Sequence, residues 1–164
     1  MGKVEVLKDK EIDKIIKRLS YEILENNYQA KKIFLVGINN NGHNFAKLIQ
    51  AELEKISTPP IELINIKLNP ANPLEAINLS IDVNELKNQH LILIDDVANT
   101  GRTIFYAFKP FLEVVPKSIQ VAVLVDRLHK SFPIKVDFLG LSLATTLKEH
   151  ITVSLKKKKA VILE

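Results

Sequence analysis

Hydrophobic positions along this chain fall into two alternating rhythms. Short apolar runs at residues 33–36, 91–94 and 119–125 read as strands buried on both faces of a parallel sheet. Residues 61–66 and 77–83 alternate apolar and polar, as strands with one covered face do. Between them lie segments of helical spacing. Ile12, Ile15, Ile16, Leu19 and Ile23 form a stripe within a helix expected over residues 9–26. Phe45, Ala46, Leu48, Ile49 and Leu53 form a second stripe, and Ile104, Phe105, Ala107, Phe108, Phe111 and Leu112 a third. Residues 4–7 suggest a short strand, residues 136–143 a short strand region, and residues 152–155 with 160–163 a hairpin around four lysines. Strands that alternate with helices predict an α/β fold: a mainly parallel twisted sheet flanked by helices, with a small C-terminal hairpin or hood.

The chemistry concentrates at one corner. The run at residues 91–94 ends in Asp95 and Asp96, which cannot enter the core unpaired. A small polar turn, Val97-Ala98-Asn99-Thr100-Gly101-Arg102-Thr103, separates them from the third helical stripe. In open α/β sheets ligands lie outside the carboxyl ends of the strands, where this corner falls. Backbone N–H groups at a helix start suit a phosphate, Thr100 and Thr103 add hydroxyls, Gly101 permits close approach and Arg102 adds positive charge. Ionised carboxylates are acceptors and suit sugar hydroxyls. Together these parts describe a receptor for a ribose phosphate. The competing reading is an ordinary strand–helix corner whose acids cap a helix.

Residues 92–103 resemble the phosphoribosyl-pyrophosphate (PRPP) signature of type I phosphoribosyltransferases. Residues 118–127, with His129, Lys130 and Pro133-Ile134-Lys135, are similar to one branch, the bifunctional pyrimidine-operon attenuation regulators and uracil phosphoribosyltransferases. The resemblance implies the type I fold and transfer of a phosphoribosyl group to uracil. It implies ribose contacts from Asp95 and Asp96, and 5′-phosphate contacts from Ala98, Asn99, Thr100, Gly101, Arg102 and Thr103. It places pyrophosphate at Asn39, Asn40, Asn41 and Gly42, and the base near Phe138, Leu139 and Gly140. Mg²⁺ is expected through PRPP, with no direct protein metal site. Purine-specific relatives carry a carboxylate where Asn99 stands, so the resemblance points to a pyrimidine.

The alternative is a nucleotide-sensing regulator that binds RNA through Lys14, Lys17, Arg18, His129, Lys130 and Lys135. Three departures from the branch bear on the choice. Asn41 replaces a basic residue, the stretch at residues 67–73 is an abbreviated form of a mobile loop, and Leu141 and Ala144 replace a polar residue and a proline. Asp126 and Arg127 read as a structural pair.

Size and composition narrow the picture. The 164 residues suit one domain, 1–164, with 46% hydrophobic residues and no cysteine, which excludes disulfides and thiolate metal sites. No apolar run approaches the ~18 residues of a membrane span, and a cytoplasmic protein is expected. A net charge of +4 suits anionic small molecules or RNA. A homodimer or higher homo-oligomer is expected from the family. A P-loop nucleotidase is excluded, since Gly101-Arg102-Thr103 lacks that motif's lysine and its preceding glycine.

Overall fold

The structure, a computed structural model, describes residues 2–146 and 148–164. Among these, nine strands and three α-helices follow in the order β1 (Val4–Leu7), α1 (Asp9–Asn27), β2 (Ile33–Ile38), α2 (Asn39–Ile56), β3 (Ile61–Lys67), β4 (Asn78–Leu79), β5 (His90–Ala98), α3 (Arg102–Ala107), β6 (Ser118–Arg127), β7 (Phe138–Leu143), β8 (Ile151–Ser154) and β9 (Ala160–Leu163). Six strands form one sheet in the order β4-β3-β2-β5-β6-β7, and β1-β9-β8 form another. The large sheet is parallel except for its edge strand β4, which runs antiparallel to β3.

Its strands carry side chains into two cores. On one face Leu35, Ile92, Ile94, Ala122 and Leu124 meet Ile12, Ile16, Leu19 and Ile23 of α1 and Phe45, Ile49 and Leu53 of α2. On the other, Phe34, Val36, Leu91, Leu93, Val121 and Val123 meet Leu86, Ile104, Ala107 and Phe111. The unbroken runs of β2 and β5 follow from this double coverage, because neither face of the strand reaches water. β5 is the central strand: Leu91, Ile92, Leu93 and Ile94 are fully buried, and it pairs with both β2 and β6.

Three sequence expectations need correction. The stripe beginning at Ile104 is no long helix: α3 stops at Ala107 and a 3-10 segment, Lys109–Glu113, follows. Pro110 lies in the first turn of that segment, where its missing N–H does least harm. Phe105 and Leu112 consequently face solvent. The alternating stretch 77–83 pairs only over β4, and then turns into a 3-10 segment, Val83–Leu86, whose entry Asp82 caps by accepting from the Asn84 N–H at 2.9 Å. The polar turn after β2 is no loop, since α2 begins at Asn39 itself. The C-terminal hairpin forms as expected from β8 and β9, and β1 adds to β9 as a third strand. Lys159 in that hairpin pairs with Asp9 and Asp13 of α1, at 2.9 and 3.1 Å, and ties the small sheet to the helix.

Candidate functional site

The carboxyl ends of β5 and β2 meet at the rim of the large sheet. Asp95 lies where β5 leaves the core and is only 9% exposed, while Asp96 is half-buried. The Asp96 backbone N–H donates to Asp95 Oδ1 at 2.9 Å, and the Val97 N–H donates to Asp96 Oδ1 at 2.9 Å. Burial, and after it the neighbouring Asp96 charge, pushes the Asp95 carboxyl well above the usual carboxylate range. Burial therefore disfavours the charged form of Asp95 at this corner.

Immediately beyond, residues 97–104 together with Asp95 enclose a small cavity of about 50 Å³. It has room for one phosphate-sized group, and a sugar and base would lie outside it. Gly101 sits in the left-handed region with φ of 83°, which a side-chain-bearing residue rarely adopts. A Cβ there would also come 2.7 Å from Ile134 Cγ1. The turn is supported from behind: Thr100 O accepts from the Ser131 and Phe132 N–H groups at 2.9 and 3.1 Å. Residues 130–134 thus form a buttress for the turn, a role the sequence did not disclose because nothing in its local pattern links it to residue 100.

The first turn of α2 meets the same carboxyl corner. Ile38, at its N-cap, offers no side-chain acceptor, so backbone N–H groups at this end remain for a ligand. Asn39 adopts a positive φ of 51° and its Oδ1 accepts from the Leu68 N–H at 3.0 Å. Asn65 Nδ2 donates to Gly37 O and Asn39 O, at 2.8 and 3.1 Å, fixing the turn to β3. Gly42 lies against β5, where a Cβ would meet Ile94 O at 2.5 Å. That close approach brings Asn41 Nδ2 to within 3.0 Å of Asp96 Oδ2. Asn41 and Gly42 are therefore joined directly to the Asp95–Asp96 corner, while Asn39 is tied to Asn65 and Leu68 and Asn40 is exposed beside them. Half-buried His43 follows, its Nδ1 buried without a hydrogen-bond partner and its pKa lowered by burial and by the Lys47 and Lys67 charges.

Other sequence candidates fall elsewhere. Phe138 is 2% exposed in the core, and a Cβ on Gly140 would meet Leu124 O at 2.2 Å and Ile15 Cγ2 at 3.0 Å. The carbonyls of Leu139 and Gly140 accept from Arg18 at 3.0 and 2.8 Å. Phe138 packs on the α1 face of the large sheet and Leu139 on the opposite face, with Leu139 in the same row of the sheet as Val123 and Asp95. Arg18 is exposed but engaged with β7 and with Glu22, and Lys14 and Lys17 are exposed beside it on α1. Lys130 turns inward to Asp126 and to Arg127 O. Asp126 and Arg127 do not pair with one another: Arg127 donates instead to Asn99, Thr145 and Thr146. His129 and Lys135 are exposed, with Lys135 3.4 Å from Asp137.

Among the described residues no group of three or more His, Cys, Asp or Glu side chains could hold a metal ion. The donor set suits a hard cation carried by a ligand's oxygens more than a protein cage. A larger groove of about 650 Å³ between α1 and α2 is lined by Asp13, Lys14, Lys17, Glu52 and Lys55. It lacks the convergent amides and buried carboxyl of the rim, and we assign it no chemistry. No described helix is long and apolar enough to cross a membrane.

Comparison with known proteins agrees with this geometry. The family described as "Phosphoribosyl transferase domain" matches residues 4–158. A Macrococcus caseolyticus protein called "Bifunctional protein PyrR" is 36% identical over 163 residues, covering 94% of this chain and 93% of its own. The Alkaliphilus metalliredigens protein of the same name is 36% identical, covering 100% and 97%. Among solved structures, the hypoxanthine phosphoribosyltransferase of Trypanosoma cruzi superposes with a TM-score of 0.78 at 13% identity, covering 97% of this chain and 94% of that one. A hypoxanthine-guanine phosphoribosyltransferase from Bacillus anthracis gives 0.74 at 16% identity, covering 96% of each. Identity that low speaks for the fold alone.

Proposed function

The chain belongs to the phosphoribosyl transferase domain family, and from that premise we propose that it transfers the phosphoribosyl group of PRPP to uracil, releasing pyrophosphate. The observation that carries this reading is the junction at the rim. A phosphate-sized cavity of backbone amides, a carboxyl pair and the start of a second helix meet there, linked by the 3.0 Å contact from Asn41 to Asp96.

A bond forms between a ring nitrogen of uracil and C1 of the ribose, the C1–O bond to pyrophosphate breaks, and the proton of the ring nitrogen passes to the departing pyrophosphate or to water. Positive charge develops on the ribose as pyrophosphate leaves, so positioning and electrostatics carry the catalysis. The amides of residues 98–103 hold the 5′-phosphate. Asp95 and Asp96 together hold the ribose hydroxyls. The first-turn amides of α2, with the Asn40 and Asn41 side chains, hold the pyrophosphate. Asp96 is the rim carboxylate that would face a Mg²⁺ brought in with PRPP, which would supply neutralisation of the leaving charge.

The test is pyrophosphate release from PRPP and Mg²⁺ with uracil, hypoxanthine, guanine or orotate as acceptor. Uracil alone should support turnover, and turnover with hypoxanthine or guanine instead would overturn the acceptor. The double variant Asp95→Asn/Asp96→Asn should lose PRPP binding by calorimetry while its circular dichroism stays native. Unchanged affinity would remove the site.

A second reading rests on α2. The turn Asn39-Asn40-Asn41 carries no charge, and a charge-assisted hydrogen bond is roughly twice as strong as a neutral one. Pyrophosphate is then held weakly, the nucleotide product is retained, and the chain serves as a pyrimidine-nucleotide sensor that binds RNA through Lys14 and Lys17. The name of the PyrR relatives, bifunctional, is compatible with both activities in one protein. Assembly into a homodimer in the cytoplasm completes the proposal, with sedimentation velocity as its check.

A further inference from the structure

Arg127 ends β6, at the rim beside the phosphate turn. Its guanidinium reaches two segments far apart in sequence. Nε donates to Thr145 Oγ1 at 2.6 Å and Nη2 to Thr146 O at 2.8 Å, both in the segment that follows β7. Nη1 donates to Asn99 Oδ1 at 3.2 Å, in the phosphate turn. Thr145 is buried, at 6% exposure, and the Thr146 N–H donates to Glu149 Oε2 at 2.6 Å. One side chain thus locks the segment after β7 to the turn that lines the phosphate cavity.

The same hydrogen bond decides which way the Asn99 amide faces. A guanidinium has five donors and no acceptor, so only the oxygen of the amide can face it. The amide nitrogen, a donor of two hydrogen bonds, is the end of Asn99 left for a ligand at the cavity mouth. Asn99 lines that cavity but is itself exposed, so its side chain lies where the nucleotide leaves the phosphate subsite.

We propose that Arg127 is a positioning residue for the acceptor: by holding the Asn99 oxygen and the Thr145–Thr146 segment, it presents the Asn99 amide nitrogen to a base that carries a carbonyl oxygen beside its reacting ring nitrogen. Uracil has such an oxygen flanking N1. A purine nitrogen in the imidazole ring is flanked by a C–H and has no carbonyl there. The proposal rests on the phosphoribosyl-transfer reading and adds the residue that orients its acceptor.

The experiment measures affinity for uridine 5′-monophosphate and for ribose 5-phosphate by calorimetry, with the KM for uracil and for PRPP alongside. Arg127→Ala should weaken the nucleotide about tenfold, the size of one lost hydrogen bond, and raise the KM for uracil in step. Ribose 5-phosphate affinity and the KM for PRPP should move less than about twofold, because the amides that hold phosphate are backbone groups. Guanidinium added to Arg127→Ala should recover part of the nucleotide affinity, an effect that a loss of fold would not show. Asn99→Asp, an exposed substitution that keeps the pairing with Arg127 and removes the amide donor, should lose nucleotide affinity to the same extent. If Arg127→Ala changes neither affinity, or weakens both ligands equally, the role of Arg127 is overturned and the phosphoribosyl-transfer reading stands. A wild-type chain that binds neither ligand overturns that reading and this proposal together.

Discussion

Asp95 follows the fully buried run Leu91–Ile94 of β5, with its carboxyl raised by burial and by the adjacent Asp96. Its sign is opposite to that of a salt-bridged acid. An unfolded aspartate releases its proton near pH 3.9, and the native carboxyl keeps it to a higher pH. Across that interval the native state binds more protons than the unfolded chain, so stability falls as pH rises through it. Asp95→Asn removes the penalty of ionising a buried group. Its urea midpoint at pH 7.5 should exceed that of the wild type, and the two should converge near pH 4. A variant less stable than wild type at pH 7.5 would mean that the ionised carboxylate is favoured in the fold. Gly101 gives a second prediction at this scale. A φ of 83° and an approach of 2.7 Å to Ile134 both oppose a Cβ, so Gly101→Ala should cost about 1–3 kcal/mol in urea unfolding and weaken ribose 5-phosphate binding.

Among the elements, β2, β5 and β6 were legible in the sequence because burial on both faces leaves an unbroken apolar run, and Asp95 and Asp96 were legible as the charges that end one. The limits of α3 were not, because Phe105 and Leu112 keep the helical spacing while facing solvent, and only the turn at Pro110 separates them. Adjacency alone pairs Arg127 with Asp126. Successive residues of a strand point to opposite faces, and each finds its partner elsewhere, Asp126 in Lys130 and Arg127 in Thr145 and Asn99. The same reasoning divides the basic residues of α1. Arg18 holds the carbonyls of β7, so Arg18→Ala should lower the melting temperature. Lys14 and Lys17 stay exposed on that helix and can meet a phosphate backbone. If RNA is bound there, the log–log slope of affinity against salt should shrink by about 1.4 in Lys14→Ala/Lys17→Ala, about 0.7 for each single-strand phosphate that is no longer neutralised. An unchanged slope would place any RNA elsewhere.

At the scale of the molecule, the two sheets are joined through one apolar layer. Leu7 of β1 and Val161 of β9 belong to the same core as Ile12 and Ile16 of α1 and Leu35 and Ile92 of the large sheet. The small sheet therefore cannot leave without exposing the packing of α1, and Lys159 adds its ionic tie to Asp9 and Asp13. This arrangement favours one folding unit over residues 1–164, although the chain forms two separate hydrogen-bonded sheets. Tyr21 on α1 and Tyr106 on α3 sit on opposite faces of the large sheet and serve as local reporters, while circular dichroism follows the backbone. Urea transitions by tyrosine fluorescence in Tyr28→Phe/Tyr106→Phe, by fluorescence in Tyr21→Phe/Tyr28→Phe and by circular dichroism should coincide within each variant. A separate early transition in any of them would divide the chain into two units. The sharper form of the test is Val161→Ala, which opens a cavity under the small sheet and should cost about 1–3 kcal/mol. In one unit that loss moves the whole transition, including the reporter on the far face. If the small sheet is a unit of its own, the variant melts it first, and the Tyr106 signal keeps its midpoint.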